Sequence, residues 1–145
     1  MKKTIITNEH MRRFNPLIIA IALCLSGCDR SRETPEFVNS TGTFLFDGQM
    51  TIDVVETQDG GINYTVTRGM RTVGPSNPPI RKGSGWFLHA ASPDEVWMYD
   101  GESNVQVIEF LSDKESKSSD IKVVPDLLQR APAAFVERLP AHLTK

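Results

Sequence analysis

Ser84 and His89 are the side chains in this sequence that come nearest to a nucleophile–base pair. Ser84 lies between two glycines in Gly83-Ser84-Gly85, and His89 follows after a short apolar segment. Catalysis by a serine nucleophile needs a histidine base within hydrogen-bond reach and a carboxylate that orients the imidazole. The segment lacks the Gly-x-Ser-x-Gly pattern of a nucleophile elbow, and no acidic residue is evidently placed to orient His89. A hydrolase is therefore the third hypothesis, and we expect His89 to be a half-buried structural residue.

Three side chains with oxygen ligands near residue 100 have the spacing that opens a calcium loop. Asp100, Glu102 and Asn104 alternate, but position twelve of an EF-hand, which requires an acidic ligand, is Leu111. The same residue types are common in tight turns, so we expect a turn.

Asp94 and Glu95 are adjacent and would point apart on a strand, so they do not form the facing pair of a glycosidase. We therefore predict no metal, no cofactor and no catalytic residue, and we do not expect an enzyme.

The first 28 residues have the pattern of an export signal. A basic head, made of Lys2, Lys3, Arg12 and Arg13, precedes the nine-residue apolar segment 17–25. That segment would be about 14 Å long as a helix, well short of the ~30 Å hydrocarbon core of a bilayer. Small residues follow it, as they do at the end of a secretory signal peptide.

The quartet Leu25-Ser26-Gly27-Cys28 resembles the lipobox of bacterial lipoproteins. The resemblance covers residues 1–29 alone, and it implies that Cys28 is acylated and that the chain is cut just before it. Asp29 resembles the inner-membrane retention signal of enterobacterial lipoproteins. We therefore expect a lipid-anchored envelope protein facing the periplasm, with the inner membrane slightly preferred over the outer membrane.

The charge balance argues against nucleic acid as a partner and against electrostatic membrane binding. Lys and Arg total 16 and Asp and Glu total 18, which gives a formal net charge of −2. The chain therefore lacks the excess of basic residues that binds the phosphate backbone of a nucleic acid. The expected mature chain, Cys28–Lys145, holds 12 basic and 17 acidic side chains, a net charge of −5. An anionic bilayer repels such a domain, so the acyl chains must supply attachment, at about 0.8 kcal/mol per buried CH₂.

The sequence divides the chain into three predicted parts. These are a signal peptide over 1–27, a lipidated cysteine with a flexible polar tether over 28–41, and one β-rich domain over 42–145. Turn signals at Asp47-Gly48, 59–61 and Asp100-Gly101 separate short alternating apolar runs, which is typical of hairpins. We predict a mainly β fold, an antiparallel meander of about five to seven strands, sandwich-like or a partly open barrel, with one or two short C-terminal helices. The helices are expected near Pro125–Arg130 and Pro132–Leu139, because proline suits a first helical turn.

Loop lengths predict the strand registers. A three-residue loop near Asp59 would place the stripes Met50/Ile52/Val54 and Ile62/Tyr64/Val66 on one face, and a similar loop at 46–48 would pair Phe44 with Met50. A four-residue turn at 91–94 would pair Trp86 with Tyr99 and Leu88 with Trp97. The next loop, at 101–103, would pair Tyr99 with Val105 and Trp97 with Val107. The polar stretch 112–120 is expected to be an exposed loop, followed by a last strand over Ile121–Val124.

The leading functional hypothesis is a protein-binding module. Aromatic residues, Met and Arg are favoured at the centres of interfaces. The candidate contacts are Met70, Arg71, Arg81, Lys82, Trp86, Trp97 and Tyr99. Core packing is the alternative for the tryptophans, so the proline-rich stretch Arg71–Gly85, expected to be a long loop, is the favoured contact surface. Arg81 and Lys82 could also hold an anion, although a solvated loop is the simpler interpretation.

A second functional hypothesis is a carrier of a small apolar ligand. Its site would be a barrel lumen lined by Trp86, Leu88, Trp97 and Tyr99.

Overall fold

The computed structural model describes residues 35–145, which form two antiparallel sheets and two short helices. Cys28, Asp29 and the whole expected signal peptide lie outside the described residues. The strands are β1 (Phe37–Val38), β2 (Gly42–Phe46), β3 (Met50–Glu56), β4 (Gly61–Arg68), β5 (Arg71–Val73), β6 (Ile80–Arg81), β7 (Phe87–Ser92), β8 (Glu95–Tyr99), β9 (Asn104–Ser112) and β10 (Glu115–Lys122). The helices are α1 (Pro125–Arg130) and α2 (Ala133–Arg138).

The two sheets pack face to face. Sheet 1 has the strand order β1-β7-β8-β9-β10, and sheet 2 has the order β2-β3-β4-β5 with β6 paired to β4. Because side chains alternate between the faces of a strand, every second residue of β3, β4, β8 and β9 points into the space between the sheets. The core there contains Val38, Met50, Ile52, Val54, Ile62, Tyr64, Val66, Ile80, Trp86, Leu88, Val96, Met98, Ile108 and Phe110.

The C-terminal helices cover the other face of sheet 1. This second core contains Phe87, Trp97, Tyr99, Val105, Val107, Leu127, Phe135 and Leu139. The Phe135 ring lies 5.2 Å from Phe87 and 5.4 Å from Trp97, measured between ring centroids. Sheet 1 is therefore apolar on both faces because it is a middle layer, with sheet 2 on one side and the helices on the other. The predicted mainly β class with C-terminal helices is confirmed. Residues 35–145 form ten strands, more than the five to seven predicted, because short edge strands add to the meander.

Two of the predicted registers are confirmed. Val54 pairs with Tyr64 and Ile52 with Val66, which places both apolar stripes of sheet 2 in the core. Tyr99 pairs with Val105 and Trp97 with Val107, as the loop after Asp100 predicts. In both hairpins the turn residues and the apolar alternation require the same register.

The register of β2 differs from the prediction by two residues. Phe44 pairs with Ile52 and Phe46 with Met50, because the loop is a single 3₁₀ turn at Asp47–Gln49. A shift of two residues keeps each side chain on its face, so Phe44 and Phe46 still pack against the core.

The predicted register of β7 against β8 is wrong by one residue. Phe87 pairs with Tyr99 and His89 with Trp97, and the ladder shifts between Ala90 and Ser92. This β-bulge adds one residue to β7 and leaves a shorter turn, so the faces of β7 are exchanged relative to the prediction. Trp86 and Leu88 therefore lie in the core between the sheets, whereas Trp97 and Tyr99 lie under the helices.

Two further boundaries differ from the sequence analysis. The stretch 112–120 is largely strand, because β10 pairs with β9 from Glu115 to Lys122. Its polar composition reflects an edge strand with exposed side chains. The domain also begins earlier than residue 42, since β1 pairs with β7 through Phe37 and Val38, and Val38 is buried. Helix α1 has its predicted bounds, and α2 lies within its predicted range with Pro132 at its N-cap.

Candidate functional site

The three aromatic residues predicted as partner contacts are core residues. Trp86, Trp97 and Tyr99 expose 7%, 3% and 1% of their surface. They cannot form a contact surface without unfolding the cores that they fill, so this part of the prediction is wrong. They also lie on opposite faces of sheet 1, both of which are packed. Residues 35–145 form no closed barrel, and the lumen expected for an apolar-ligand carrier is absent from this part of the chain.

The other four predicted contacts are exposed, but they lie at opposite ends of sheet 2. Arg71 pairs with Arg68 at one end of β4, next to the exposed Met70, whereas Arg81 pairs with Gly61 at the other end. The seven residue steps of β4 between these positions span about 23 Å. The surface predicted from Arg71–Gly85 is therefore divided, and Arg81 with Lys82 belongs to the proline-rich end.

Ser84 and His89 do not form a nucleophile–base pair. The Ser84 hydroxyl donates to the backbone carbonyl of Asp100 at 2.7 Å. The His89 Nδ1 donates to the backbone carbonyl of Glu36 at 3.0 Å, and its ring stacks on Phe37 with centroids 4.9 Å apart. Each polar group therefore fastens one segment of backbone to another, which agrees with a structural role for His89.

The Asp100 carboxylate organises a turn. Its Oδ1 accepts hydrogen bonds from the backbone N–H groups of Glu102, Ser103 and Asn104 at 2.7, 3.0 and 3.1 Å. Its Oδ2 accepts from Asn104 Nδ2 at 2.5 Å. These donors satisfy the carboxylate without a cation, as the turn interpretation requires. Within residues 35–145, no group of His, Cys, Asp and Glu side chains is arranged to hold a metal ion.

A cleft of about 410 Å³ opens between the two sheets at the proline-rich end. We call it the proline-loop cleft. One wall is the stretch Ser76–Arg81, and the opposite wall belongs to sheet 1 and the turn after β8. The residues of that second wall are Met98, Asp100, Glu102, Asn104, Gln106 and Asp120.

The proline wall is held against sheet 2 at both ends. Gly74 has a φ of +111°, and an added Cβ there would lie 2.5 Å from the backbone oxygen of Tyr64, so only glycine allows this close approach. The Ser76 hydroxyl donates to Asn63 Oδ1 at 3.0 Å. At the other end, Ile80 is buried and pairs with Ile62. These contacts position the prolines between them over the cleft.

The opposite wall is held by a chain of polar contacts. The Tyr64 hydroxyl donates to Gln106 Oε1, and Gln106 Nε2 donates to Asp120 Oδ1 at 2.8 Å. Burial raises the pKa of Tyr64 well above the ordinary tyrosine value, and the negative charge of Asp120 raises it further. The phenol is therefore neutral and acts as a donor, which fixes the orientation of the Gln106 amide.

Arg81 lines the cleft and Lys82 follows it in the chain, and both cations are paired with acidic side chains. Arg81 forms an ion pair with Glu102 at 3.4 Å across the mouth, and Lys82 donates to both oxygens of Glu56, at 2.8 and 2.9 Å. Arg81 and Lys82 expose most of their side chains, so each pair contributes little to stability. Because each cation already has an acidic partner, the geometry favours a paired polar rim over the anion site that the Arg81-Lys82 stretch suggests.

A second, wider depression of about 740 Å³ is lined in part by Lys82. Its other cation, Arg138, lies over the Phe37 ring at 4.4 Å from the centroid. Its two cations are therefore engaged by Glu56 and by an aromatic face.

Sequence reasoning missed the residues of the sheet 1 wall, notably Gln106 and Asp120. One signal was available for Gln106, a polar residue between the apolar Val105 and Val107 on a predicted strand. The sequence did not predict that Asp120 lies on a strand of sheet 1, because the polar stretch that contains it resembles a loop.

Comparison of the chain with family models, with curated proteins and with solved structures returns no match. Among the described residues, no helix has both the length and the apolar character that a membrane crossing requires.

Proposed function

We propose that this chain is a bacterial envelope lipoprotein that binds a partner protein through the proline-loop cleft. The observation that carries the proposal is a cleft of about 410 Å³ with both walls already held in place. Binding to a pre-organised surface loses less conformational entropy than binding to a mobile one. Such a cleft is suited to receive a side chain or a short segment of another protein.

The lining of the cleft supports a peptide-like ligand. Ile80 and Met98 provide buried apolar surface at its base, while Asn77 and Asn104 provide amide groups at its edges. Amide groups can pair with the backbone N–H and C=O groups of a bound segment. A mixed lining of this kind is typical of non-obligate interfaces, which are about as polar as the rest of a protein surface.

The N-terminal sequence supports attachment to a membrane. Eight residues separate Cys28 from β1, and a chain of that length spans at most about 29 Å. If Cys28 carries the acyl chains, the sandwich and its partner lie close to the bilayer surface. A membrane-bound or membrane-proximal protein is therefore the expected class of partner.

Site-specific photo-crosslinking in living cells tests the binding surface. We expect a photo-reactive residue at Asn77 to give one discrete adduct, and one at Thr72, exposed elsewhere on sheet 2, to give none. Asp120→Trp would fill the cleft and remove the adduct, whereas Asp113→Trp makes the same change at an exposed residue outside it. An adduct that survives Asp120→Trp, or that forms equally from Thr72, would contradict binding in the cleft.

Membrane fractionation tests the anchor separately. Cys28→Ser removes the thiol that would be acylated, so we expect the protein to move from the membrane pellet to the supernatant. Metabolic labelling with a fatty acid should mark the wild-type chain and not the variant. Continued sedimentation of the unlabelled Cys28→Ser chain with membranes would argue against acylation as the means of attachment.

A further inference from the structure

The strands at the sheet edges differ in how they are protected against pairing with another chain. Exposed edges carry unpaired backbone groups, and proteins usually guard them with charges, prolines or very short strands. In sheet 1, β1 has two residues, while β10 carries Glu115, Lys117, Asp120 and Lys122. In sheet 2, β5 has three residues and begins with Arg71. Each of these edges has a recognised protective feature.

Strand β2 has none of these features. Its five residues, Gly42-Thr43-Phe44-Leu45-Phe46, include no charged residue and no proline, and Leu45 is 62% exposed. Among residues 35–145, β3 is the only strand paired with it. β2 is therefore an apolar edge with a free side, in a sheet whose opposite edge is short and charged.

The direction of the backbone groups of β2 follows from the hairpin that precedes β4. The Thr57 N–H donates to the Gly61 carbonyl, so these two residues form a hydrogen-bonded pair. Hydrogen-bonded and non-hydrogen-bonded pairs alternate along an antiparallel ladder, so Ile52 directs its backbone groups toward β2. The backbone N–H and C=O groups of its partner Phe44 point back toward β3. The N–H and C=O groups of Thr43 and Leu45 consequently face outward.

A second copy of the same strand matches this edge. Antiparallel pairing about a two-fold axis at Phe44 places Thr43 of each copy opposite Leu45 of the other copy. The interface therefore contains two such pairs. Each of these two pairs exchanges two hydrogen bonds, about four in total. On the inner face, the two Phe44 rings meet at the axis, and Gly42 lies opposite Phe46 of the other copy. The residue without a side chain therefore faces a large ring, which avoids crowding.

The side chains of β2 bring no charge to this edge, although the domain as a whole is acidic. Residues 35–145 hold 10 basic and 15 acidic side chains, so two copies repel each other over most of their surface. The acidic group nearest to the outward side chains of β2 is Asp53, and its carboxylate accepts a hydrogen bond from the Thr43 hydroxyl at 2.6 Å. Two copies can approach through β2 without placing like charges in contact.

We propose that β2 pairs with β2 of a second copy of this chain, joining the two copies of sheet 2 into one continuous sheet. The interface is isologous, because the same residues contribute on both sides, and it closes as a dimer. The residues that line the proline-loop cleft include none from β2, so each copy keeps its own cleft. This inference does not depend on the proposed partner.

Cysteine crosslinking between two differently tagged full-length copies in native membranes tests the pairing. One copy carries Thr43→Cys and the other carries Leu45→Cys, because hydrogen-bonded partners have Cα atoms about 5.5 Å apart, within disulfide range. We expect a crosslink that contains both tags. The matched control combines Val55→Cys with Thr72→Cys, exposed residues on sheet 2 away from β2, and its yield should be lower by at least about tenfold.

The mass of the purified full-length chain in detergent provides the second measurement. Wild-type protein should sediment as a dimer, and Leu45→Lys, which places a charge on the edge, should sediment as a monomer with unchanged circular dichroism. Val55→Lys makes the same kind of change away from the edge and should leave the dimer intact. A monomeric wild-type chain, a control crosslink of equal yield, or a Thr43→Cys crosslink to a different protein would overturn the proposal.

Discussion

At the residue scale, Tyr64 connects the core to the candidate site. Its ring is part of the apolar stripe of β4, while its hydroxyl reaches Gln106 on sheet 1 and fastens the two sheets together at the cleft. A buried hydroxyl without a partner costs free energy, and so does a buried acceptor whose donor has been removed. Tyr64 therefore stabilises the fold and orients Gln106 through a single contact.

The raised pKa of Tyr64 predicts a pH dependence of stability. The folded state keeps the phenol neutral, whereas the unfolded chain ionises it near pH 10. Stability from this group is therefore present below about pH 10 and is lost as the pH rises above it. Above that pH, the wild-type free energy of unfolding should fall more steeply than that of Tyr64→Phe, by up to about 1.4 kcal/mol per pH unit.

Urea unfolding at about pH 8 and about pH 11 measures this difference. At the lower pH, Tyr64→Phe should reduce the free energy of unfolding by about 1–2 kcal/mol, because Gln106 Oε1 loses its donor. Tyr99, the other tyrosine of the chain, is unchanged in both proteins and so cancels in the comparison. Identical pH dependences for the two proteins would contradict a neutral, buried Tyr64.

At the scale of elements, the two C-terminal helices act as the cover of sheet 1. Each has six residues, which is too short for a stable isolated helix, so both depend on tertiary packing. Leu127, Phe135 and Leu139 insert into the aromatic face of the sheet. The order of this C-terminal segment therefore follows from the burial of these three side chains.

Truncation of Phe135 should release this cover. Phe135 is fully buried, so Phe135→Ala should lower the free energy of unfolding by about 3–5 kcal/mol. In a Trp86→Phe background, Trp97 is the only tryptophan and lies 5.4 Å from the Phe135 ring, so its fluorescence should shift to longer wavelength. Glu137→Ala, an exposed change in the same helix, should alter stability by less than about 0.5 kcal/mol and leave the emission unchanged. An unshifted Phe135→Ala spectrum would show that the helix does not shield Trp97.

At the scale of the whole molecule, the net charge of the protein and its proposed lipid anchor have separate roles at the membrane. The part of the chain from Cys28 onward has a net charge of −5, so its surface does not provide attraction to an anionic bilayer. In the proposed lipoprotein, attachment comes from the acyl chains, and the protein surface stays free for other contacts.

Vesicle sedimentation tests this division of roles. The chain from residue 28 onward, with Cys28→Ser, should stay in the supernatant with vesicles rich in phosphatidylglycerol, even at low salt where electrostatic attraction is least screened. Circular dichroism would verify that this chain is folded. Salt-sensitive binding to such vesicles would show a basic contact surface that the net charge conceals.

The sequence by itself determined the features that depend on local patterns. Turn residues and alternating apolar residues required the register of β3 with β4 and of β8 with β9, because a slip of one residue would expose a whole apolar stripe. Proline at a first helical turn indicated both helices, whose bounds agree closely with the prediction. The turn at Asp100 was also predictable, because its carboxylate bonds to backbone groups within four residues.

Only the tertiary structure decided which apolar residues share a core and which polar residues share a cleft. The bulge at Ala90–Ser92, which the loop residues do not reveal, places Trp86 and Leu88 on the opposite face of sheet 1 from Trp97. Strand β10 is polar because it is an edge, so its composition could not distinguish it from a loop. Gln106 and Asp120 approach the proline-rich stretch only when the two sheets stack, a contact between residues far apart in the chain that no local pattern records.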